Sequence, residues 1–156
     1  MPVERAGAAE LARLQRLIDE WAEESLRSNA LLAAVDRDPE IRRWYIRLHG
    51  DEKAIITLWL TLRERTLYFE TYFMPAPEEN HGWCYEYLLR ANPGLYGWRF
   101  AVGQEDAVYL VGQLPLATID EDELDRIVGS GWAYTERYFA AAMSIGYASK
   151  FRRQQR

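Results

Sequence analysis

Residues 42–73, RRWYIRLHGDEKAIITLWLTLRERTLYFETYF, decide the fold of this chain. In the first run, Trp44, Ile46 and Leu48 alternate with polar or amphipathic neighbours, which is the two-residue period of a β-strand. The same alternation returns in KAIITLWLTL and in TLYFETYF, and the polar turns HGDE and RER separate the three runs. The stretch therefore predicts three consecutive antiparallel strands.

A helix is predicted before these strands, from about residue 8 to residue 32. Its apolar residues recur at helical spacing with charged residues between them, as in an amphipathic helix. They are Leu11, Leu14, Ile18, Trp21 and Ala22. The segment DRDPE then ends the pattern, because Pro39 lacks a backbone donor and disfavours helical geometry at Asp38.

A second helix is predicted to begin in PAPEEN, residues 75–80. Proline is tolerated in a first helical turn, and Glu78 and Glu79 suit the positive end of a helix dipole. The helix would end at NPG, residues 92–94. Its apolar stripe comprises Cys84, Tyr87, Leu88 and Ala91.

The remainder of the chain predicts two strands and a last helix. GWRFAVG and AVYLVGQLP alternate as strands and are joined by a short acidic turn. The last helix opens at Asp120, and Glu123 stands three residues later, as in a capping box. Gly129 and Gly131 lie inside its helical pattern, where a glycine either bends the helix or admits a close neighbour.

These elements predict an α+β domain with the order α-β-β-β-α-β-β-α. Helices would pack on an antiparallel sheet of about five strands. The length of 156 residues fits a single domain, residues 1–156, with a core over about 8–148. We expect residues 149–156 to form a mobile tail, because end residues without apolar partners usually stay unfixed.

Composition limits the classes of function. The formal net charge of −5 argues against a broad nucleic-acid-binding face, which needs clustered Lys and Arg. The start MPVERAGAAELARL lacks the layout of a signal peptide, and no apolar run approaches membrane-spanning length, so we expect a cytoplasmic protein with no membrane contact. A lone cysteine agrees with a reducing compartment.

His81 and Cys84, three residues apart with Glu78 nearby, are the candidates for metal binding or catalysis. A structural zinc site needs four ligands, and the remaining histidine, His49, belongs to an earlier strand. A thiol nucleophile also needs an oriented base and an oxyanion hole, and one helical turn does not supply these. We therefore predict no metal, no cofactor and no enzymatic activity.

The sheet face opposite the apolar stripe is the best candidate for a partner-binding site. By alternation it carries Tyr45, Arg47, Trp59, Tyr68 and Tyr72, with Tyr109 as a further candidate. Either the chain's own helices or loops cover these rings, or they form a dimer or peptide-binding face. Aromatic rings with arginine also stack bases of single-stranded nucleic acid, but the net charge has the wrong sign for that function.

Two blocks of sequence resemble a known family. WLTLRERTLYFETYFMPAPEENHGWCYEYLLRAN, residues 59–92, and YLVGQLPLATIDEDELDRIVG, residues 109–129, are similar to the YbjN-like family of bacterial sensory transduction regulators in its actinobacterial form. The resemblance runs from about Trp44 to Ala148. It implies the fold of type III secretion chaperones, which commonly dimerise and hold a partner chain in extended form, and it carries no catalytic residues.

The leading hypothesis is a non-enzymatic, protein-binding or chaperone-like regulatory protein. It would be a homodimer that captures a protein or peptide segment of unknown identity through edge-strand pairing and apolar contact. The alternative is a regulatory sensor domain that binds a small ligand between helix and sheet. An enzyme that uses Cys84 and His81 is a third hypothesis, and it requires a lowered thiol pKa.

Overall fold

The computed structural model of the chain describes residues 4–150. Three α-helices and six β-strands account for most of that range. The helices are α1 (Ala8–Ser28), α2 (His81–Ala91) and α3 (Glu121–Gly146). The strands are β1 (Leu32–Asp38), β2 (Arg43–His49), β3 (Ile55–Leu62), β4 (Thr66–Met74), β5 (Arg99–Val102) and β6 (Val108–Pro115).

The six strands form one antiparallel sheet in the order β1-β2-β3-β4-β6-β5. One face of this sheet, the inner face, packs against the helices and forms the core. Its fully buried residues include Trp44, Ile46, Leu58, Leu60 and Phe69, which alternate along β2, β3 and β4 as their sequence pattern predicts. The α+β class and the antiparallel sheet predicted from the sequence are therefore confirmed.

The predicted strand count was one too low, because β1 was taken for the end of the first helix and the break after it. Helix α1 ends at Ser28, and residues 32–38 pair with β2 at the edge of the sheet. A register shift between Leu32 and Ala34 interrupts the two-residue alternation that reveals a strand. Arg37 also faces the helices, where an apolar residue would be expected. Its guanidinium lies 5.1 Å from the Trp44 ring and bonds to Gln15 at 2.6 Å and to Asp19.

The predicted start of the second helix is also corrected. PAPEEN lies outside α2, which begins at His81 after Asn80 in the left-handed conformation (φ 51°). The backbone N–H groups of Glu78 and Glu79 donate to the Gly146 carbonyl, at 3.0 and 2.9 Å. The segment therefore caps the C-terminal end of α3 instead of opening its own helix.

The predicted start of the last helix is confirmed. The Asp120 carboxylate accepts a hydrogen bond of 2.8 Å from the Glu123 backbone N–H. Of the predicted tail, residues 151–156 lie outside the described residues. At its start, the Ser149 N–H donates to the Glu79 carboxylate at 2.9 Å and the Lys150 amine lies 3.3 Å from Glu78.

Candidate functional site

The outer face of the sheet, opposite the helices, carries the predicted aromatic residues. Strand pairing aligns Tyr45 with Trp59, Trp59 with Glu70, and Glu70 with Val111. Residues directly opposite each other in antiparallel strands share a face, so these side chains form one row across four strands. Tyr68 and Tyr72 lie in the neighbouring rows, where Tyr68 pairs with Thr61 and Tyr72 with Tyr109.

This face is open to solvent. The exposed fractions are 37% for Trp59, 43% for Tyr72 and 58% for Ile55. The interpretation that the chain's own helices or loops cover the face is therefore wrong for these side chains. Large apolar groups in this number on one exposed face are unusual unless the face meets another molecule.

A concave depression of about 740 Å³ lies on the outer face. Strands β3, β4, β5 and β6 form its floor, and Gly103 and Gln104 of the β5–β6 connection contribute to its side. The aromatic side chains in its lining are Trp59, Tyr68, Tyr72 and Tyr109. Its polar lining includes Lys53, Glu70 and Arg99.

Pairs of aromatic rings fix the shape of the depression. Tyr45 meets Trp59 edge to face, with ring centroids 5.2 Å apart and an interplanar angle of 86°. Tyr72 meets Tyr109 in the same way, at 5.6 Å and 87°. Such contacts hold exposed rings in defined orientations, so the surface is formed before any partner arrives.

Three cations lie over rings of this face. The Arg43 guanidinium lies 4.9 Å from the Trp59 ring, that of Arg63 4.4 Å from the Tyr68 ring, and the Lys53 amine 5.1 Å from the Tyr72 ring. Arg43 also donates to the Thr61 hydroxyl at 2.8 Å. Cation–π contact leaves the positive charge available, because the ring quadrupole does not neutralise it.

Lys53 has the most perturbed environment of these groups. Its amine donates a 2.5 Å hydrogen bond to the Tyr72 carbonyl, beside a register shift in the β4–β6 pairing between Tyr72 and Met74. Burial lowers the pKa of Lys53 to about 8. The backbone of the turn before β3 is held in place by Glu136 of α3, which accepts from the Glu52 N–H at 2.6 Å.

Two phenols of the depression, Tyr68 and Tyr72, stay protonated at neutral pH. Burial raises the pKa of Tyr68, and the nearby Glu70 carboxylate raises it further. Burial also raises the pKa of Tyr72, with smaller contributions from Tyr109 and Glu105. Both rings therefore act as apolar surfaces with a hydroxyl donor.

The structure brings most of the predicted site residues together. Trp59, Tyr68 and Tyr72 line the depression, and Tyr45 supports Trp59 from the neighbouring strand. Arg47 lies on the same face, opposite Thr57, but outside the depression.

Sequence reasoning missed Lys53, Ile55, Glu70, Arg99 and Val111 of the depression. Alternation alone places Glu70 and Ile55 on the outer face, and that signal could have identified them. The bond of Lys53 to the Tyr72 carbonyl depends on turn geometry, and the contribution of Arg99 depends on strand order; the alternation contains neither.

His81 and Cys84 lie in different environments and do not form a joint site. His81 is exposed, whereas Cys84 is fully buried, with its sulfur 4.0 Å from the Met74 sulfur and 3.6 Å from the Ala142 carbonyl oxygen. Burial raises the pKa of the Cys84 thiol, so the thiolate needed for a nucleophile or a metal ligand is disfavoured.

Two large apolar side chains of α2 are also exposed. Trp83 is 61% exposed and Leu89 is 62% exposed, on a helix whose buried residues are Cys84 and Leu88. Since α2 packs against α3 on the inner side of the sheet, these two side chains and the depression lie on different sides of the molecule.

The family model described as "Putative bacterial sensory transduction regulator" matches residues 17–143. The chain belongs to the YbjN family. Uncharacterized proteins of two mycobacteria are among its relatives. The protein of Mycobacterium tuberculosis is 32% identical over 109 residues, 70% of this chain and 60% of its own length. The protein of Mycobacterium leprae is 28% identical over 112 residues, 72% and 61% of the two chains. The YbjN chain thus spans about 60% of the length of the curated relatives it matches.

Two solved complexes contain chains of similar fold. A chain of the ExsC-ExsE complex gives a TM-score of 0.60 at 18% identity, covering 83% of the YbjN chain and 93% of its own. A chain of the HopA1-SchA chaperone-effector complex also gives 0.60, at 12% identity, covering 86% and 98%. The resemblance to type III secretion chaperones predicted from the sequence is confirmed as a likeness of fold.

Over residues 4–150, none of the helices combines the length and the apolar character needed to cross a membrane.

Proposed function

We propose that this YbjN chain is a non-enzymatic, chaperone-like regulatory protein of the cytoplasm that binds a segment of another protein. The open aromatic depression on the outer face of the sheet carries this proposal. Tyr and Trp are the residues that protein interfaces favour, because each combines a large apolar ring with a hydrogen-bonding group.

The binding residues we propose are Tyr45, Arg47, Trp59, Tyr68 and Tyr72. Trp59 and Tyr72 offer exposed rings, and neighbouring rings and cations hold them in place, so little side-chain freedom is lost on binding. The fold neighbours support a protein partner, since the solved structure of one is described as a chaperone-effector complex.

We also propose that the protein is a homodimer, and that α2 forms the dimer contact. Trp83 and Leu89 are the exposed apolar residues of this helix, and they lie away from the depression. A two-fold contact of α2 with its own copy would bury both residues and leave the outer face free for a partner.

Affinity purification from the native cell, followed by mass spectrometry, tests the binding function. The double variant Trp59→Ala, Tyr68→Ala should lose a protein that the wild-type chain retains. The control is Tyr96→Ala, which removes a more exposed ring that lies outside both the depression and α2. The purified candidate should then change the tryptophan fluorescence of the wild-type protein more than that of Trp59→Phe. A double variant that keeps every partner would contradict the proposal.

Sedimentation velocity tests the dimer separately. The wild-type protein should sediment as a dimer, and Trp83→Ala combined with Leu89→Ala should shift it to a monomer. Trp59→Ala should leave the dimer intact. A wild-type protein that remains monomeric at all concentrations tested would eliminate this part of the proposal.

The size of the depression favours one alternative function, a sensor domain for a small ligand. Its volume of about 740 Å³ lies within the range of about 300–1,000 Å³ typical of ligand pockets. This space lies on the outer face, whereas the sequence hypothesis placed the ligand between helix and sheet. A metabolite that raises the melting temperature of the wild-type protein but not of Tyr72→Ala would favour the sensor, because a ligand specific for the folded state stabilises it.

A further inference from the structure

We propose, on the basis of the protein-binding function proposed above, that the outer face selects an acidic, extended protein segment. Apolar side chains of the segment would enter the depression, and its carboxylates would meet the cations that surround it. The partner is thus defined by two features, alternating apolar groups and negative charge.

Five cations stand on the outer face or at its ends. They are Arg43, Arg47, Lys53, Arg63 and Arg99. Within residues 4–150, none of the five lies within ion-pair distance of a carboxylate. Their positive charges are therefore available to a ligand.

Cations elsewhere in the described chain commonly have carboxylate partners. Arg13, Arg90 and Arg126, for example, form ion pairs of 2.7, 2.9 and 2.7 Å with glutamates on their own helices. In a chain of net charge −5, a group of unpaired cations on one face is an uneven distribution of charge. Complementary potentials of this kind select a partner and orient its approach.

The cations are distributed around the depression. Arg63 lies over Tyr68 and Arg43 over Trp59, while Lys53 lies over Tyr72, which is four residues beyond Tyr68 on the same strand. Arg99 lines the β5 side. An extended chain that places apolar side chains in the depression would therefore pass cations at more than one point along its length.

Glu70 makes a peptide a better occupant than a single-stranded nucleic acid. Its carboxylate lies in the depression, between Trp59 and Val111 in the central row, and Asp36 pairs with Tyr45 further along that row. Peptide N–H groups can donate to this carboxylate, and an acidic peptide carries its negative charges on side chains that can point to the surrounding cations. A phosphate backbone has no N–H donor and carries a negative charge at every nucleotide. A second copy of this chain is disfavoured, because two-fold packing of outer face on outer face would oppose the two sets of cations.

Fluorescence anisotropy with labelled synthetic peptides tests the proposal. Three peptides of equal length repeat Glu-Leu-Asp-Tyr, Gln-Leu-Asn-Tyr or Lys-Leu-Lys-Tyr, and a labelled oligothymidylate is the fourth probe. The acidic peptide should bind most tightly, and added salt should weaken its binding, because salt screens exposed charges. The double variant Trp59→Ala, Tyr68→Ala should abolish binding.

Charge removal gives the matched comparison. Arg63→Gln with Arg99→Gln should weaken binding of the acidic peptide about fivefold, as expected for two exposed ion pairs. Arg27→Gln with Arg90→Gln removes the same charge from two exposed helix positions and should change binding less than about twofold. Circular dichroism should show that all variants are folded.

The other outcomes separate the two proposals. Equal binding of the acidic and neutral peptides, without salt dependence, would overturn the charge selection and leave protein binding intact. Failure of all three peptides would overturn this inference, and the partner capture described above would then decide the protein-binding function by itself. Preference for the basic peptide or for oligothymidylate would replace the acidic segment with the partner so identified.

Discussion

Two glycines of α3, separated by a single residue, should respond in opposite directions to replacement by alanine. A Cβ at Gly131 would lie 2.7 Å from one Trp98 ring carbon, 3.2 Å from another and 3.3 Å from a Leu58 methyl group. A Cβ at Gly129 would meet no atom within 4 Å. Of the two possibilities that the sequence left open for Gly131, the structure therefore supports close approach of a neighbour.

The Trp98 ring has little room to move away. It is 97% buried and packs edge to face on Phe69, which is itself fully buried, with ring centroids 4.7 Å apart. Leu58 on β3 is also fully buried. Overpacking in such surroundings costs about 1–3 kcal/mol, whereas alanine in place of a helical glycine contributes about 1 kcal/mol of stability.

Gly129→Ala should therefore raise the free energy of unfolding by about 1 kcal/mol. Gly131→Ala should lower it by up to about 2 kcal/mol, since the overpacking cost exceeds the helical gain. Helix propensity contributes equally to both variants and cancels in the difference between their free energies of unfolding. That difference, about 1–3 kcal/mol, therefore measures the Trp98 contact alone.

Urea unfolding monitored by circular dichroism measures both variants against the wild-type chain. The dependence on urea should keep the same slope, so that a changed midpoint reports stability. If Gly131→Ala were as stabilising as Gly129→Ala, within about 0.5 kcal/mol, the close packing of α3 on Trp98 would be refuted.

Three further outcomes are expected. Burial lowers the pKa of Lys53 to about 8, so between pH 8 and pH 10.5 the unfolded chain holds the proton that the native state has released. In urea unfolding, the stability of the wild-type protein relative to Lys53→Met should therefore rise by about 1 kcal/mol across that interval, after allowance for the solvent around the amine. A stability difference that stays constant with pH would contradict the burial of the Lys53 charge. Asp120→Ala should cost about 1 kcal/mol of unfolding free energy, because the Glu123 N–H loses its cap, while Asp122→Ala should cost less. Cys84 should react with a disulfide reagent much faster in urea than in the native protein, and equal rates would show that the thiol is accessible.

Local pattern predicted the parts of the fold that depend on near neighbours. The alternation of Trp44, Ile46 and Leu48 against Tyr45 and Arg47 is a property of a single strand, and it correctly assigned each residue to a face. The cap at Asp120 was predictable for the same reason, since its partner stands three residues away.

Long-range contacts determined the parts that were missed. The first strand is interrupted at Ala33 and turns Arg37 towards the helices, where Asp19 of α1 satisfies its charge. The segment before α2 donates its N–H groups to Gly146, which lies about 70 residues away in the sequence. Neither partner is visible from local composition, so one segment was mistaken for the end of a helix and the other for the beginning of one.

The candidate site shows the same division. Alternation placed the aromatic side chains on one face, but it could not show that β6 lies between β4 and β5 and brings Arg99 and Tyr109 to the depression. Nor could it show that Lys53, which lies just before β3, would bond to the Tyr72 carbonyl beside a register shift. The positions of Lys53 and Arg99 therefore depend on turn geometry and strand order, whereas Arg43, Arg47 and the aromatic rings follow the two-residue period.

The combination of rings and cations on the outer face helps to decide whether this face binds a partner segment or has a purely structural role. A ring kept only to protect the sheet would not need a cation fixed over it, because the cation gains little in water and loses side-chain freedom. Arg43, Lys53 and Arg63 are nonetheless each placed over a different ring, without a carboxylate partner among residues 4–150. This arrangement places unpaired positive charge beside apolar surface. It contributes most to binding free energy when one ligand brings both an anionic group and an apolar group.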